Sequence, residues 1–525
     1  MAYSLKGTES LGIELGSTRI KAVLIDDGFN PIASGSYTWE NKYENGVWTY
    51  HMDDVIKGLQ GAYSDLNKMC VEKFGSPIRS LSSLGVSAMM HGYLPFDKNM
   101  NLLAEFRTWR NTITAEASKK LTELFDFNIP QRWSIAHFYQ AILNGEEHTK
   151  NVAHLTTLAG YVHYLLTGRL VLGIGEASGM FPIDCTTKYY DKKMLDKFNA
   201  LSEVSSLGIK AEDVLPKILS AGENAGFLTE SGAALLDVSG NLKSGIPMAP
   251  PEGDAGTGMV ATNAVAVKTG NVSAGTSIFS MVVLEKQLSR LYEEIDTVTT
   301  PDGKPVAMVH CNNCCTDLDY WVNLFFNFSC AIGKDMEKGE LYDLLYEAAL
   351  YGAPDAGGLV NINYFSGEPV SHTTDGMPMF IRTKGAQFNL ANFMRSQIYS
   401  AVATLKIGME ILDKEGVKID CLMGHGGLFK TEKVGQTLLA SALNTPVAVM
   451  ETAGEGGAWG MAVLSKYSVD NSLPLDEYLN DKVFKNAKSK IVEPNTDDVE
   501  GFKAYMIRYK AALKAEIEAY NNFKE

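Results

Sequence analysis

At 525 residues, 45% of them hydrophobic and 21% charged, the chain has the composition of a folded protein and too much length for a single core, which predicts two large domains. The net charge of -15 argues against nucleic acid as the main partner, because proteins that bind polyanions concentrate Lys and Arg on one face. No run reaches about 18 apolar residues and the first residues lack the basic-then-apolar order of a signal peptide, so a cytoplasmic protein that spans no membrane is expected.

The first element in chain order is a hairpin. Leu11 to Leu15 and Ile20 to Ile25 are apolar or alternating runs, and Gly16-Ser17-Thr18 between them is turn chemistry. HMDDVIKGLQGAYSDLNKMCVEKFG carries apolar residues at three- and four-residue spacing and stops at glycine, which predicts a helix. SLSSLGVSAMM reads as a strand running into Met90-His91-Gly92, NVAHLTTLAGYVHYLLTG as a helix and GRLVLGIG as a strand. At PPEGDAGTGMVATNAV, Pro250-Pro251 ends one element and glycines open the next, which places the domain break between 1–260 and 261–525.

A second hairpin follows. Val272 to Ala274, then Gly275-Thr276-Ser277, then Ile278 to Leu284 repeat strand, hydroxyl turn and strand, with Ser273 two positions before the glycine where Glu14 stands in the first copy. One hairpin per half implies a duplicated domain. The second half continues with a long amphipathic helix (FMRSQIYSAVATLKIGMEILDKEG), a strand into glycines (IDCLMGHGG), a helix (EKVGQTLLASALN), a strand (PVAVM), a helix (EGGAWGMAVLSKY) and a last amphipathic helix, expected to dock on its own domain. Strands alternating with helices imply α/β layers with a mixed, largely parallel sheet in each half, and ligands where strand ends meet a cleft.

Four stretches are more polar or glycine-rich than a plain fold needs. Exposed N–H groups and hydroxyls in the two turns can hold phosphate oxygens, though such triplets are also good turn formers. Glu14 beside the first turn could help hold Mg²⁺, which takes carboxylate oxygens together with waters and substrate phosphates; its inert use is to accept turn N–H groups. Asp254, among small neighbours, is the candidate general base for a hydroxyl attacking a γ-phosphoryl group, or else a helix cap. His91 sits at a strand end, either to hydrogen-bond a hydroxyl-rich ligand or as a satisfied core residue. Trp109, Arg110 and Asn111 offer an aromatic face and polar donors of the kind that bind sugars. The glycines of MGHGGLFKT let a flat base or a phosphate lie against backbone, but without the order of a P-loop or of a dinucleotide fold. Seven cysteines in all make no disulfide framework, and the cluster Cys311, Cys314, Cys315 lacks a second ligand pair for zinc, so a structural role is expected for it.

Together, GIELGSTRIKAV, MHG, LTGRLVLGIGEASGMFPID, EGDAGTGMV, GNVSAGTSIFSM, GHGGLFKT and GEGGAWGMAV resemble the FGGY carbohydrate kinases over nearly the whole chain, and MHG with EASGMFPID is most similar to the branch acting on xylulose. The resemblance implies two actin-like, ribonuclease H-like ATPase domains with a cleft between them, the first binding sugar and the second nucleotide. It implies MgATP phosphorylating a primary hydroxyl of an open-chain ketose, with Asp254 as base. Sugar is then expected near Met90, His91, Trp109, Asn111 and Asp254, phosphate at Ser17, Thr18, Arg19, Gly275, Thr276 and Ser277, adenine at Gly426, Gly427 and Leu428, and Mg²⁺ at Glu14. The sequence departs from that pattern at Glu14 (usually Asp), Ala255 (often Asn) and Asn111 (an Asp in Trp-x-Asp), and His137 and Gln140 only weakly echo a Lys-x-x-Trp signature. A kinase for ribulose or a polyol, and a non-catalytic actin-like ATP switch, are the competing readings; the partners expected are sugar and ATP, and a homodimer is left open.

Overall fold

The computed structural model describes residues 3–334, 336–450 and 456–523. It divides into two compact units. The first comprises residues 1–265, 297–306 and 455–486, and the second comprises 266–296, 307–454 and 487–525. The partition is thus not a single cut near 260, because two segments of the second half group with the first unit.

The first unit is built on five strands, β1 (Ser10–Leu15), β2 (Arg19–Ile25), β3 (Pro31–Thr38), β4 (Ser83–Ala88) and β5 (Glu252–Gly253), in spatial order β5-β4-β1-β2-β3. β1 pairs antiparallel with β2 and parallel with β4, and β4 pairs parallel with β5. The Met52–Phe74 helix ends as the sequence requires, with Gly75 at φ 74° turning the chain out of the helix. The stretch read as one helix from residue 151 is instead the end of a 3₁₀ turn (Glu147–Asn151), a short strand (His154–Thr156) and a helix (Leu158–Thr167). Antiparallel pairing of that strand with Leu94–Phe96 overrides the helical spacing. GRLVLGIG likewise gives only a three-residue strand, Val171–Gly173, before the Ile174–Ala177 helix.

The second unit repeats the plan. β6 (Thr269–Ala274), β7 (Ile278–Val283), β9 (Pro305–Cys311), β10 (Cys421–His425), β11 (Val447–Met450) and β12 (Ser489–Val492) lie in the order β9-β7-β6-β10-β11-β12; β8 (Asp296–Thr299), but for its first residue, and the first two residues of β9 fall in the 297–306 segment that groups with the first unit. β6 is antiparallel to β7 and parallel to β10, as β1 is to β2 and β4. The Leu390–Lys414 helix packs into this unit's core together with Phe502, Tyr505, Tyr509 and Leu513 of the Thr496–Asn522 helix. Among the described residues no helix is long and apolar enough to cross a membrane.

Within the first unit, the Gly456–Val469 helix lies against β1 and against the Asp254–Ala261 helix. Glycines set that distance. A Cβ on Gly12 would sit 2.1 Å from the Ala458 carbonyl oxygen, and one on Gly460 would sit 2.1 Å from the Thr257 carbonyl oxygen. Both neighbours are backbone and cannot swing aside. For Gly460→Ala, helix propensity alone would give a gain of about 1 kcal/mol. The backbone clash dominates, and a net loss of about 2 kcal/mol is expected, read as a lower urea midpoint with an unchanged slope.

Candidate functional site

The first turn shows why a carboxylate precedes it. Gly16 closes the hairpin by donating to Arg19 O at 3.0 Å. The three turn carbonyls are all occupied. Trp39 Nε1 donates to Gly16 O at 2.7 Å, the Tyr50 hydroxyl to Ser17 O at 2.5 Å, and Trp39 N to Thr18 O at 3.2 Å. With its acceptors turned toward these aromatics, the turn presents N–H groups, hydroxyls and the exposed Thr18 and Arg19 side chains outward, the polarity an anion requires.

Glu14, at the end of β1, accepts from Ala458 N at 3.0 Å through Oε2. That amide lies in the first turn of the Gly456–Val469 helix, where the helix dipole favours a negative charge. Burial and the neighbouring Asp254 carboxylate nevertheless push its pKa up to about 7. A Cβ on Gly457 would meet Glu14 Oε1 at 2.4 Å and Thr257 Oγ1 at 2.8 Å, so the absence of a side chain there leaves a small oxygen-lined cradle. Among the described residues no three His, Cys, Asp or Glu side chains could hold a metal by themselves. An oxygen-only cradle of this kind suits Mg²⁺, which is commonly held by one or two carboxylates with the remaining ligands from substrate phosphates and water.

Asp254 is the first residue of its helix, and Gly253 occupies the cap position. Its Oδ1 accepts from Met90 N at 3.1 Å, which joins it to the loop after β4, and backbone N–H groups at the start of its own helix, at 254 and 255, also favour its charged form. The residue is half-buried, and burial raises its pKa to about 6. Beside it, His91 has φ 71° and Gly92 φ 98°. A left-handed histidine is strained backbone held by its surroundings. Arg132 Nε donates to His91 Nε2 at 3.2 Å, so Nδ1 carries the proton and donates to Gly179 O at 3.2 Å. Gly179 is small for a reason, since a Cβ there would lie 2.6 Å from His91 Nδ1 and 2.7 Å from Met90 Cε.

Two further acids stand behind this loop. Glu252 accepts from Glu176 N at 2.9 Å and Gly175 N at 3.3 Å, and burial raises its pKa to about 8. Glu176 is fully buried, and burial holds its carboxyl well above the usual range. A Cβ on Gly253 would meet Glu176 Oε2 at 2.3 Å, so the missing side chain leaves room for this acid beside the residue that precedes Asp254.

The tryptophan segment behaves differently from expectation. Trp109 Nε1 donates to Ser17 Oγ at 3.3 Å, which brings it to the first turn. Asn111 is buried and spends both amide protons, on Trp48 O at 2.8 Å and Thr108 O at 3.0 Å, while its carbonyl accepts Trp48 N at 2.8 Å. It is a pin between two backbone segments with no amide proton left for a sugar. Arg110 lies over the Trp48 ring, 3.9 Å from the centroid. His137 is buried and neutral, its pKa driven down to about 3 by burial and its ring stacked on Tyr93, while Gln140 accepts from Ala117 N and donates to Asn144. Both belong to the interior.

In the second unit, Gly275 N donates to Ser277 O at 2.9 Å. Here the carbonyls of Gly275 and Thr276 accept from Cys315 N at 3.1 Å and Cys314 N at 3.0 Å. The cysteine stretch is therefore the brace of the second turn, as Trp39 and Tyr50 are of the first. Cys311, Cys314 and Cys315 are buried, and the Cys314 thiol is held well up by its contact with Cys315 Sγ at 3.5 Å and by burial. Pairing of β6 with β10 sets Ser273 opposite His425, and Gly426, at φ 102°, rests on Ala274, where a Cβ would come 2.4 Å from the carbonyl oxygen. The second turn and Gly426, Gly427 and the buried Leu428 thus meet at neighbouring strand ends. Gly454 and Glu455 of GEGGAWG lie outside the described residues.

The N-terminal domain of the FGGY family of carbohydrate kinases matches residues 10–260, and its C-terminal domain matches residues 270–469. The chain belongs to the FGGY family of carbohydrate kinases. The xylulose kinase of Haemophilus influenzae is 22% identical over 518 residues, 96% of this chain and 99% of that protein. A ligand-bound xylulose kinase and a gluconate kinase, both from Lactobacillus acidophilus, each superpose with a TM-score of 0.80 at 17% identity, covering 98% of this chain and 100% of theirs. These place the two units in the actin-like ATPase fold of FGGY kinases, enzymes that use ATP as phosphoryl donor.

Trp39, Tyr50 and Arg132 carry no motif of their own, and only their contacts with the first turn and with His91 reveal them; Glu176, Glu252 and the cysteine pair stand in stretches the sequence singles out, but without the roles the structure gives them. Asn111→Ala is expected to cost about 1–3 kcal/mol of stability by orphaning buried backbone groups at 48 and 108, measured by urea unfolding. If Asn111 were a sugar ligand instead, stability would hold and the Michaelis constant for sugar would rise.

Proposed function

We propose that the enzyme transfers the γ-phosphoryl group of ATP to a hydroxyl of a ketose, D-xylulose first, with Asp254 as general base. The observation that supports this most strongly is the Asp254 carboxyl itself, on a half-buried residue, tied to Met90 at 3.1 Å and held up to about 6 by burial. At neutral pH such a group is charged but basic enough to accept a proton.

The first unit supplies the acceptor side. His91, with its tautomer fixed by Arg132 and Gly179, borders the sugar, and the proton leaving the hydroxyl oxygen passes to Asp254 as that oxygen bonds to phosphorus and ADP departs. The second unit supplies the nucleotide side, with Gly275, Thr276 and Ser277 toward phosphate and Gly426, Gly427 and Leu428 toward the base. Ser17, Thr18 and Arg19 of the first turn take phosphate oxygens. Glu14, with Asp254 nearby, would hold Mg²⁺, which neutralises phosphate charge when bound. Ala255 and the committed Asn111 remove two polar contacts from the xylulose-kinase pattern, so ribulose, polyols and gluconate belong in any acceptor panel.

A coupled ADP-release assay over that panel tests the reading. D-xylulose is expected to give the highest kcat/KM, and Asp254→Asn to lower kcat by about 10²–10⁴-fold with little change in sugar KM. ADP release independent of any acceptor, or an unimpaired Asp254→Asn variant, would contradict it. Glu14→Gln is expected to raise the Mg²⁺ concentration for half-maximal rate by about ten- to a hundredfold.

A further inference from the structure

Three consecutive residues, at the point where the Ser134–Leu143 helix begins, hold the loop that carries His91. Arg132 Nε donates to His91 Nε2 at 3.2 Å, the Trp133 ring stacks on the His91 ring with centroids 6.3 Å apart, and Ser134 Oγ donates to Gly92 O at 2.5 Å. On its other edge the imidazole donates from Nδ1 to Gly179 O at 3.2 Å. A neutral imidazole has one donor and one acceptor. Both are spent inside the protein, and the residue is 5% exposed, so the His91 ring has no hydrogen bond left to give a sugar. Arg132 is half-buried, and its bond to His91 uses one of the five N–H groups of a guanidinium.

We propose that Arg132, rather than His91, donates to the acceptor sugar, and that it selects an acceptor bearing an oxygen without a proton, the ketone of an open-chain ketose or the carboxylate of a sugar acid. This rests on the proposed kinase activity and adds a specificity-determining residue to it, with His91 as the positioning residue behind that one. A guanidinium donates and never accepts, so an oxygen that only accepts is its complement, whereas a hydroxyl is matched to it by half. One short loop joins the groups involved: Met90 N holds the Asp254 carboxyl, and the next residue's ring holds Arg132. Trp133 and Ser134 fix the backbone that carries Arg132 and the ring it leans on, which lowers the cost of ordering its side chain when a sugar binds.

Steady-state kinetics of the full chain at saturating MgATP tests this with D-xylulose and D-gluconate as acceptors and xylitol as a competitive inhibitor. Arg132→Met is expected to raise the KM of the preferred acceptor about ten- to a hundredfold, the worth of a hydrogen bond from a charged donor, with kcat and the inhibition constant of xylitol within about threefold of wild type. His91→Phe, which keeps a ring and removes both nitrogens, is expected to raise the same KM. The double variant is expected to be no worse than Arg132→Met, because His91 acts through Arg132. A loss confined to D-xylulose assigns the contact to the ketone and a loss confined to D-gluconate assigns it to the carboxylate; either supports the proposal. Additive losses in the double variant, an equal loss with xylitol, or acceptor-dependent turnover with an unchanged KM in Arg132→Met overturns it alone. ADP release that needs no acceptor overturns it together with the kinase reading.

Discussion

The close approach of one helix to a strand and to a second helix is the constraint on which the acidic half of the site depends. Gly12 and Gly460 let the Gly456–Val469 helix touch the backbone of its neighbours. At that distance the amide of Ala458 reaches Glu14, which burial and the nearby Asp254 carboxylate make harder to ionise. A chain segment more than 400 residues downstream of Glu14 thereby completes the first hairpin's site. The helix terminus favours charge and burial opposes it; the raised pKa values of both carboxyls show that burial wins until a cation or a proton arrives.

The two turns solve one problem with different means. A turn that presents its N–H groups outward must have its carbonyls satisfied from behind. In the first unit two aromatic side chains do this, and in the second two consecutive backbone amides do. The duplicated strand plan sets the position of each turn, while the bracing was free to diverge. That divergence accounts for Cys311, Cys314 and Cys315: their backbone is needed where it stands, and their buried thiols pack the core beneath the turn.

Much of this was legible in the sequence. Both hairpins, the strand ending at Met90, the Met52–Phe74 helix and the glycines after β10 follow from alternation, helical spacing and turn chemistry, which are local. What stayed hidden depends on pairing across the chain. The 151–167 stretch has helical spacing throughout, yet Leu94–Phe96 claims three of its residues as a strand. Asn111 looks like a sugar donor in TWRNT, but its commitments are to the backbone at Trp48, 63 residues earlier. The burial of Glu176 and Glu252 depends on β5 and the Ile174–Ala177 helix meeting, which no local pattern shows.

The central claim is that burial tunes Asp254 to act as a base near neutrality, and the pH dependence of kcat/KM for the sugar tests it most directly. The base must be charged to accept a proton, and burial favours its neutral form. The rate is therefore predicted to rise with pH through an apparent pKa of about 6 to 7, a value shared between Asp254 and Glu14. A limb near about 4, where an ordinary carboxylate titrates, or a rate that is flat from about pH 5 to 8, would contradict the account.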